Sequence, residues 1–507
     1  MKASLILLTL LLKINTFADI GPSGYKVFKG KSCGGFPRVA LESAPGTCIG
    51  MVADSDMGFS KPRMAIEVND GYFISDLKSW APNQGSLFFL KKSEQGLIPA
   101  IVFKNLDRPH TVVKGPDGLV YVGEAGQIFR FDPKSPEASK EVIVKGLPTT
   151  GSHPLSYFIF DSNGDLILNI GAPSDQCLTD KNDPQYPCPA MKGSTPQAAV
   201  YRVQFDKKGQ VISNTPIAKG LRNSMALLEN PLTGELLQFE NNMDFSKEDT
   251  PYEEINIIQE GKHYGWPYCY EMGKLNKKYK RSFFNRKVPK ISCSKYTSPI
   301  ALLPPHSAPL GVLFYNEENI PSLTGKILVS LHGYRKNGQR IISLDPTRLN
   351  DSKDEVISNW KEVEGLHPKG APVGLSVSLD GNILVVDDKN KNVLIVAASD
   401  EELSNGEVIQ IETPIELTKS QKKIMSQLEK EVLNKFNCTS CHSLPKKDPA
   451  TLIKSLNKLR WINPGNAESS LIIKRMKGLQ GERQMPPQGR KVPKDLIESF
   501  EAFINSI

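Results

Sequence analysis

Apolar residues alternate with polar ones over short stretches from about residue 60 to 396, and the alternation recurs. The segment RPHTVVKGPDGLVYVGEAGQIFRF, starting at Arg108, predicts two strands joined by a Pro-Asp-Gly turn. Related segments start at Lys61, His153, Arg222, Ala308 and Ala371, and each has a turn ending in glycine. Sheet units repeated every ~40 to 50 residues are typical of a β-propeller with one blade per copy. We predict an all-β six-bladed β-propeller; seven blades is the alternative, because residues 261–305 are long enough to form another.

The residue before each innermost strand should lie near the propeller axis, all on one face. Four of the six segments begin with a basic side chain, at Lys61, Arg108, His153 and Arg222. Clustered cations are unfavourable unless an anion neutralises them, so we expect an acidic ligand bound there, with Lys61 and Arg108 among its contacts. The alternative is that some of these side chains point into solvent.

A different pattern begins after the repeats. Residues 397–412 are mostly polar and are read as a linker. From Thr418, placed with Gln421 as a capping box, helical spacing sets in and continues to Phe436. A final helix over residues 493–507 should bury Leu496, Ile497, Phe500, Phe503 and Ile504. Residues 413–507 are therefore predicted to be a small all-α domain.

The motif Cys438-Thr439-Ser440-Cys441-His442 lies inside this domain. Cys-x-x-Cys-His is the attachment sequence of haem c: the thiols of Cys438 and Cys441 bind the porphyrin and His442 binds the iron. A structural or metal-binding cysteine pair is the alternative. Helices on both sides of the motif predict a cytochrome c domain.

The second axial ligand of the iron should be a methionine, because no histidine follows His442. Met485 is the favoured candidate, since the two prolines after it hold the chain extended in a loop. Met425 and Met476 are expected to pack in a core. A His/Met pair raises the haem potential and suits electron transfer.

Export is predicted from the N-terminus and the cysteines. Residues 1–18 have a positive start, a short apolar stretch and a small-residue exit typical of a signal peptide, although Lys13 leaves an uncleaved anchor open. The mature propeller would span 19–396, in the periplasm or outside the cell. Local disulfides suit such a compartment, with buried free thiols as the alternative. The expected pairs are Cys33 with Cys48, Cys177 with Cys188, and Cys269 with Cys293.

The positive charge is concentrated in the predicted cytochrome domain. The chain of 507 residues has a net charge of +8, and residues 413–507 hold 17 Lys and Arg against 9 Asp and Glu. This surface could steer the domain toward an acidic redox partner, such as a soluble cytochrome or another acceptor, or toward an anionic membrane. It could also simply be a solvated lysine-rich face. No basic-aromatic pattern suggests nucleic acid, and no apolar run suggests integral membrane contact.

Residues 62–396 resemble the soluble sugar dehydrogenases that use pyrroloquinoline quinone (PQQ), in particular the glucose, sorbosone and pyranose dehydrogenases. The resemblance is most specific in GLRNSMALLENPLTGELLQFENNMDFSKEDTPYEEINIIQEGKHYGWPYCYE, residues 220–271. The Ser152-His153 pair and the segments HSAPLGVLFY and LVSLHGYR are also similar. The tail separately resembles cytochromes c with a Met-Pro-Pro ligand loop.

The resemblance implies a mechanism. In these enzymes a histidine, here His153, removes a hydroxyl proton from the sugar while hydride passes to the quinone, which calcium polarises. Arg222 and Asn223 match residues that hold the cofactor, and His332 stands where relatives place a lysine or histidine over it. The matching calcium segment contains Asn241, Asn242 and Asp244.

Three positions depart from the family pattern. Ala371 replaces a cofactor-binding arginine, Val373 follows without a second cation, and Ala172 stands where an acid should orient the base, leaving Asp175 as its substitute. The sequence therefore supports two hypotheses. The first is a PQQ-dependent dehydrogenase of an aldose, or of an aldehyde such as sorbosone, that delivers electrons through its haem. The second is a non-catalytic docking propeller that carries a cytochrome.

Overall fold

The structure, a computed structural model, describes residues 17–20, 25–283, 286, 288–351, 353–358, 360, 370–399, 418–428, 456, 462, 466–468, 470–477 and 492–506. Six antiparallel sheets form a six-bladed β-propeller, as the repeats predict. The innermost strands pack against one another around the axis in five of the six neighbouring pairs of blades. The core is divided among the interfaces between blades, where apolar residues of adjacent sheets pack together.

The first three blades follow the chain. Blade 1 comprises β6 (Pro62–Val68), β7 (Gly71–Asp76), β8 (Gly85–Ser93) and β9 (Gly96–Leu106). Blade 2 comprises β10 (Val112–Lys114), β11 (Val120–Glu124), β12 (Gln127–Phe131) and β13 (Glu141–Lys145). Blade 3 comprises β14 (Tyr157–Phe160), β15 (Leu166–Ile170), β16 (Ala199–Phe205), β17 (Val211–Lys219) and the parallel strand β21 (Lys262–His263). A short helix, α1 (Pro136–Ser139), precedes β13.

The remaining blades use strands from distant parts of the chain. Blade 4 comprises β18 (Ala226–Glu229), β19 (Leu236–Glu240), β20 (Glu253–Ile257) and β24 (Ala301–Leu303). Blade 5 comprises β25 (Pro309–Tyr315), β26 (Lys326–Leu331), β27 (Arg340–Leu344), β28 (Asp354–Ser358) and the N-terminal β4 (Glu42–Ser43). In the described part of residues 261–305, the strands are the short hairpin β22 (Cys269–Tyr270) and β23 (Lys274–Leu275) and edge strands of blades 3 and 4. They form no further blade, so the seven-bladed alternative is wrong.

Blade 6 closes the ring by joining the two ends of the propeller. Its inner strands are β29 (Pro372–Val377), β30 (Ile383–Asp387) and β31 (Asn392–Ala398). The N-terminal strands complete it: β5 (Thr47–Ala53), β3 (Phe36–Val39), β2 (Lys26–Cys33) and β1 (Phe17–Ile20). Because β5 pairs antiparallel with β31, backbone hydrogen bonds hold the ring shut, and blade 1 becomes the neighbour of blade 6.

The three expected disulfides are confirmed. Cys33 is bonded to Cys48, Cys177 to Cys188, and Cys269 to Cys293. The second and third lie in one apolar cluster with Trp266, on the loops beside the candidate site. They constrain segments that have few backbone pairings of their own.

Three helices are described in the tail: α2 (Lys419–Leu428), α3 (Leu471–Lys477) and α4 (Lys494–Asn505). Thr418 and Gln421 form the expected capping box, and α4 buries the five residues assigned to it. Met425 and Met476 pack in the same core, which touches Phe314 of blade 5. The haem motif and Met485 lie outside the described residues, so the cytochrome domain remains a prediction. No described helix is both long enough and apolar enough to cross a bilayer.

Candidate active site

A repeated hydrogen bond positions the entry to four innermost strands. The second strand of the blade ends in a carboxylate, which accepts a hydrogen bond from the backbone N–H that precedes the innermost strand. The charge-assisted bond fixes the loop at the hub. The pairs are Asp76 with Lys61 N (2.6 Å), Glu124 with Asp107 N (2.7 Å), Glu240 with Arg222 N, and Asp387 with Ala371 N (3.0 Å).

These loops surround a cavity of about 510 Å³ at one mouth of the propeller. Its volume is in the range of small-molecule sites. The hub is open rather than plugged by apolar side chains, and charged groups line it from several blades. Of the predicted site residues, the structure brings together Lys61, His153, Arg222, Asn223, Asn241, Asn242, Asp244 and His332.

His153 has the geometry of a general base. Its Nδ1 lies 2.6 Å from the carbonyl oxygen of Ala172. Because a carbonyl only accepts, Nδ1 carries the proton and Nε2 keeps its lone pair. Burial, together with the positive charge of Arg222, lowers the pKa of His153 to about 4, although the Ala172 carbonyl and Asp175 act in the opposite direction. The imidazole is therefore neutral at pH 7 and ready to accept a proton.

The expectation that Asp175 orients the base needs correction. Its Oδ1 lies 2.9 Å from Arg222 Nε and accepts a hydrogen bond from Asp244 N, also at 2.9 Å. It influences His153 only through its charge. The orienting acceptor is instead the backbone carbonyl of Ala172, the residue that stands where the family pattern has an acid.

Arg222 is held between oxygen atoms. Its Nη1 donates to Asn241 O at 3.1 Å and its Nη2 to Asp244 Oδ2 at 2.7 Å, while Nε faces Asp175. Next to it, Oδ1 of Asn223 is buried without any hydrogen-bond donor among the described residues. An unpaired buried acceptor on a cavity wall is costly unless a ligand supplies the donor.

The three predicted calcium ligands lie close together but are already engaged. Asn242 Oδ1 accepts from Met243 N at 2.8 Å, Asn241 O accepts from Arg222, and Asp244 is paired with the same guanidinium. Calcium requires six to eight oxygens. The described residues contain no cluster of three or more histidine, cysteine, aspartate or glutamate side chains suited to a metal.

Arg108 does not reach the cavity, contrary to expectation. Its guanidinium donates to Asp107 at 2.7 Å (Nε) and to the carbonyl oxygen of Thr149 at 2.8 Å. The acid directly before it in the sequence captures the side chain. Ala371 and Val373 are also buried in the core rather than on the cavity wall.

One wall of the cavity, beside blade 6, carries three charged residues that the sequence analysis did not identify. They are Arg63, Asp388 and Lys389. Arg63 is ion-paired with Asp388, which also lies 3.1 Å from His332 Nε2. Burial alone would raise the pKa of Asp388, but His332 and Arg63 lower it to about 2, so it stays ionised. The Asp387-Asp388-Lys389 triplet at the end of β30 was the available sequence signal.

Two exposed aromatic rings flank the same cavity. Trp80 is 53% exposed and Tyr334 is 57% exposed, although both are large apolar residues. Lys61 Nζ stands 5.5 Å from the Trp80 ring centroid, and Lys389 Nζ stands 4.7 Å from that of Tyr334. Exposed aromatic surface at a pocket rim is typical of a ligand contact.

The propeller region of the chain matches a known protein family. The model of the TrAA12-like family matches residues 101–399, and the chain belongs to that family. The predicted relationship to PQQ-dependent sugar dehydrogenases with a β-propeller fold is thereby confirmed.

One relative and two solved structures illustrate the similarity. An uncharacterised protein of Borreliella burgdorferi is 30% identical over 298 residues, which cover 54% of this chain and 71% of the relative. The iodide structure of the Trichoderma reesei AA12 carbohydrate-active enzyme superposes with a TM-score of 0.55 at 16% identity, covering 71% of this chain and 98% of that one. The holo PQQ domain of Coprinopsis cinerea pyranose dehydrogenase gives 0.54 at 18% identity, covering 72% and 99%. At these identities the structural likeness shows the fold.

Proposed function

We propose that this protein is a PQQ-dependent sugar dehydrogenase that delivers its electrons to a haem c in its own tail. One observation carries the proposal: His153 faces an open cationic cavity with Nδ1 bound to the Ala172 carbonyl and Nε2 free to take a proton. The membership of the TrAA12-like family supports the assignment.

The cavity suits a flat polycarboxylic acid. Guanidinium and ammonium groups line two of its sides, from Lys61 and Arg63 on one and Arg222 on the other. The unpaired Oδ1 of Asn223 would accept a ring N–H. When bound, PQQ would supply an acceptor for the hydride of the sugar, which carries both electrons of the oxidation.

Within that reaction His153 takes the proton. With Nδ1 donating to Ala172, its Nε2 would accept the hydroxyl proton of the substrate as the C–H bond breaks. The low pKa of His153 keeps the base neutral over the physiological range. Arg222, fixed by Asn241, Asp175 and Asp244, would hold polar atoms of the cofactor.

The rim supports an aldose or a related sugar as substrate. Sugars present C–H faces as well as hydroxyls, and the exposed rings of Trp80 and Tyr334 offer flat apolar surfaces for such faces. The Coprinopsis relative is described as a pyranose dehydrogenase. A lactone-forming aldehyde such as sorbosone would fit the same chemistry, and a substrate panel separates the two.

Two further components of the proposal come from the sequence. The Cys438 to His442 motif, with Met485 as second ligand, supports a haem that passes electrons to an external cytochrome or other acceptor. The disulfides and the predicted signal peptide support a periplasmic or secreted location. Calcium is proposed because one structure of the Trichoderma enzyme is described as a calcium structure; it superposes with a TM-score of 0.51 at 17% identity.

The test uses the full chain made with haem attached. PQQ and calcium are added, then a panel of aldoses and aldehydes, and haem reduction is followed by its α-band. Sugar-dependent reduction is expected, and a His153→Gln variant should lose it about 10²- to 10⁴-fold. A Cys438→Ser/Cys441→Ser variant should reduce an artificial dye while showing no haem band. Wild-type protein that binds no PQQ would refute the proposal.

A non-catalytic docking propeller is the second candidate, because Ala371 and Val373 depart from the family pattern of cofactor-binding cations and are both fully buried. It predicts a reducible haem with no quinone binding. Calorimetric titration of the protein with PQQ therefore decides between the two.

A further inference from the structure

Blade 6 lacks the cations of the family pattern at positions 371 and 373, but the neighbouring blade 1 carries a cation close to them. The inner strand β29 of blade 6 packs directly against β6 of blade 1. A Cβ added to Gly374 would stand 2.6 Å from the carbonyl oxygen of Arg63, so the two backbones touch. Arg63 thus lies beside Val373, one strand away from the place where the family pattern has its cations.

The side chain of Arg63 is buried, and neighbouring side chains hold its guanidinium group in place. It is only 3% exposed, yet it lines the cavity. Its Nη1 is paired with Asp388 and its Nη2 lies 3.3 Å from His110 Nε2. The Nε–H group is buried with no acceptor among the described residues. Two of the three guanidinium nitrogens are therefore fixed by protein groups, and one still lacks a partner.

The charges around Arg63 do not balance. Lys61 and Lys389 line the same wall, and Asp388 is the carboxylate that faces them there. The pKa of Lys61 is lowered first by burial and further by the charges of Arg63 and Lys389, while Asp388 opposes the shift. His332, on β26's side of the wall, adds a charge only when protonated. This wall therefore carries a surplus of positive charge.

The opposite wall has less uncompensated positive charge. Arg222 is paired there with Asp175 and Asp244. Arg335 also lines the cavity and is paired with Glu248. Burial raises the pKa of Glu253, a further residue of that side, to about 7. Carboxylates of a bound acid would therefore be attracted more strongly to the Arg63 side.

We propose that Arg63, positioned by Asp388 and assisted by Lys61 and Lys389, replaces the cations lost at positions 371 and 373 and holds the carboxylates of the cofactor. This inference rests on the proposed function. The inference also gives the orientation of bound PQQ: its carboxylates would face blades 1 and 6, and its uncharged carbonyl edge would face His153.

The experiment measures binding by calorimetry on quinone-free full-length protein, with PQQ and with its trimethyl ester as probes. Arg63→Gln should weaken PQQ binding about 10- to 100-fold, the loss expected for a charge-assisted contact, and leave ester binding within about twofold. The double variant Arg63→Gln/Asp388→Asn removes the buried carboxylate left unpaired. Lys389→Gln, on the partly exposed rim, provides a variant that does not disturb the core.

The matched control is Lys78→Gln. Lys78 is exposed on the loop that carries Trp80, and it does not line the cavity. Its loss should leave both affinities unchanged. Equal loss of PQQ and ester affinity in Arg63→Gln would overturn the inference by indicating a general packing defect. Unchanged PQQ affinity in all three site variants would overturn it too, while the proposed function would stand. Failure of the wild type to bind either probe refutes both.

Discussion

Lowering the pH from 8 to 5 should barely slow the proposed reaction, and this expectation follows from the burial of His153. An unperturbed histidine has a pKa near 6.5 and would be almost wholly protonated at pH 5. Burial and the adjacent Arg222 lower the pKa of His153 to about 4. A protonated imidazole cannot act as a base, so the pKa sets the acid limit of activity.

The size of the effect is calculable. At pH 5 a base with a pKa of about 4 is about 90% neutral, whereas one with a pKa of about 6.5 is about 3% neutral. Protonation of His153 should therefore lower kcat/KM by only about 10% between pH 8 and 5, instead of about 30-fold. The same shift acts on stability. Because the folded pKa lies below the unfolded one, the contribution of neutral His153 is fully present above pH 6.5 and is lost as the pH falls toward 4.

Two measurements check the prediction. The pH profile of kcat/KM is recorded with an artificial electron acceptor, so that the haem does not limit the rate. Independently, the imidazole of His153 is titrated by NMR in the quinone-free protein and assigned with His153→Gln. The control is His263→Gln. Partial burial also lowers the pKa of His263 to about 4, but this residue does not line the cavity. A measured pKa of 6 or above for His153 would refute the reasoning.

The remaining predictions concern the supports of the site and of the ring. Asp175→Asn should lower kcat by less than about tenfold, far from the ~10⁴-fold cost of removing a true orienting acid, because a backbone carbonyl orients the base. Gly171→Ala would place a Cβ 2.6 Å from that of His153, so kcat should fall about 10²-fold while calorimetric PQQ binding persists. Leu394→Ala, at a fully buried position of β31, should lower the free energy of unfolding in urea by about 3 to 5 kcal/mol. Leu379→Ala, at a position that is 54% exposed, should change it by no more than about 0.5 kcal/mol.

The architecture was predictable because each blade repeats a local pattern. Alternating strands and turn glycines gave six blades, and short cysteine spacings gave the disulfide pairs. The entry residues were also located well: Lys61, His153 and Arg222 line the cavity as expected. Their positions follow from repeat register, which sequence carries directly.

The errors share one physical cause, because sequence register does not specify the partner of a side chain. Arg108 has the same register as Arg222, but Asp107 captures it. Arg63 lies within an apolar strand, and its partner Asp388 is 325 residues away. The orienting group of the base is a backbone carbonyl, and every residue has one, so no residue type could reveal it.

The circular fold explains how a site can lose motif arginines and keep its charge. Blade 6 is both the last blade and the neighbour of the first, so a cation on β6 reaches the space beside β29. Adding a cation at position 373 should therefore fail. Val373 is fully buried, and its carbonyl accepts from Ser330, so Val373→Arg would force a long cation into a packed interface already occupied by Arg63. We expect Val373→Arg to lower the melting temperature without tightening PQQ binding; calorimetry showing tighter binding in a stably folded variant would mean that the wall still lacks a cation.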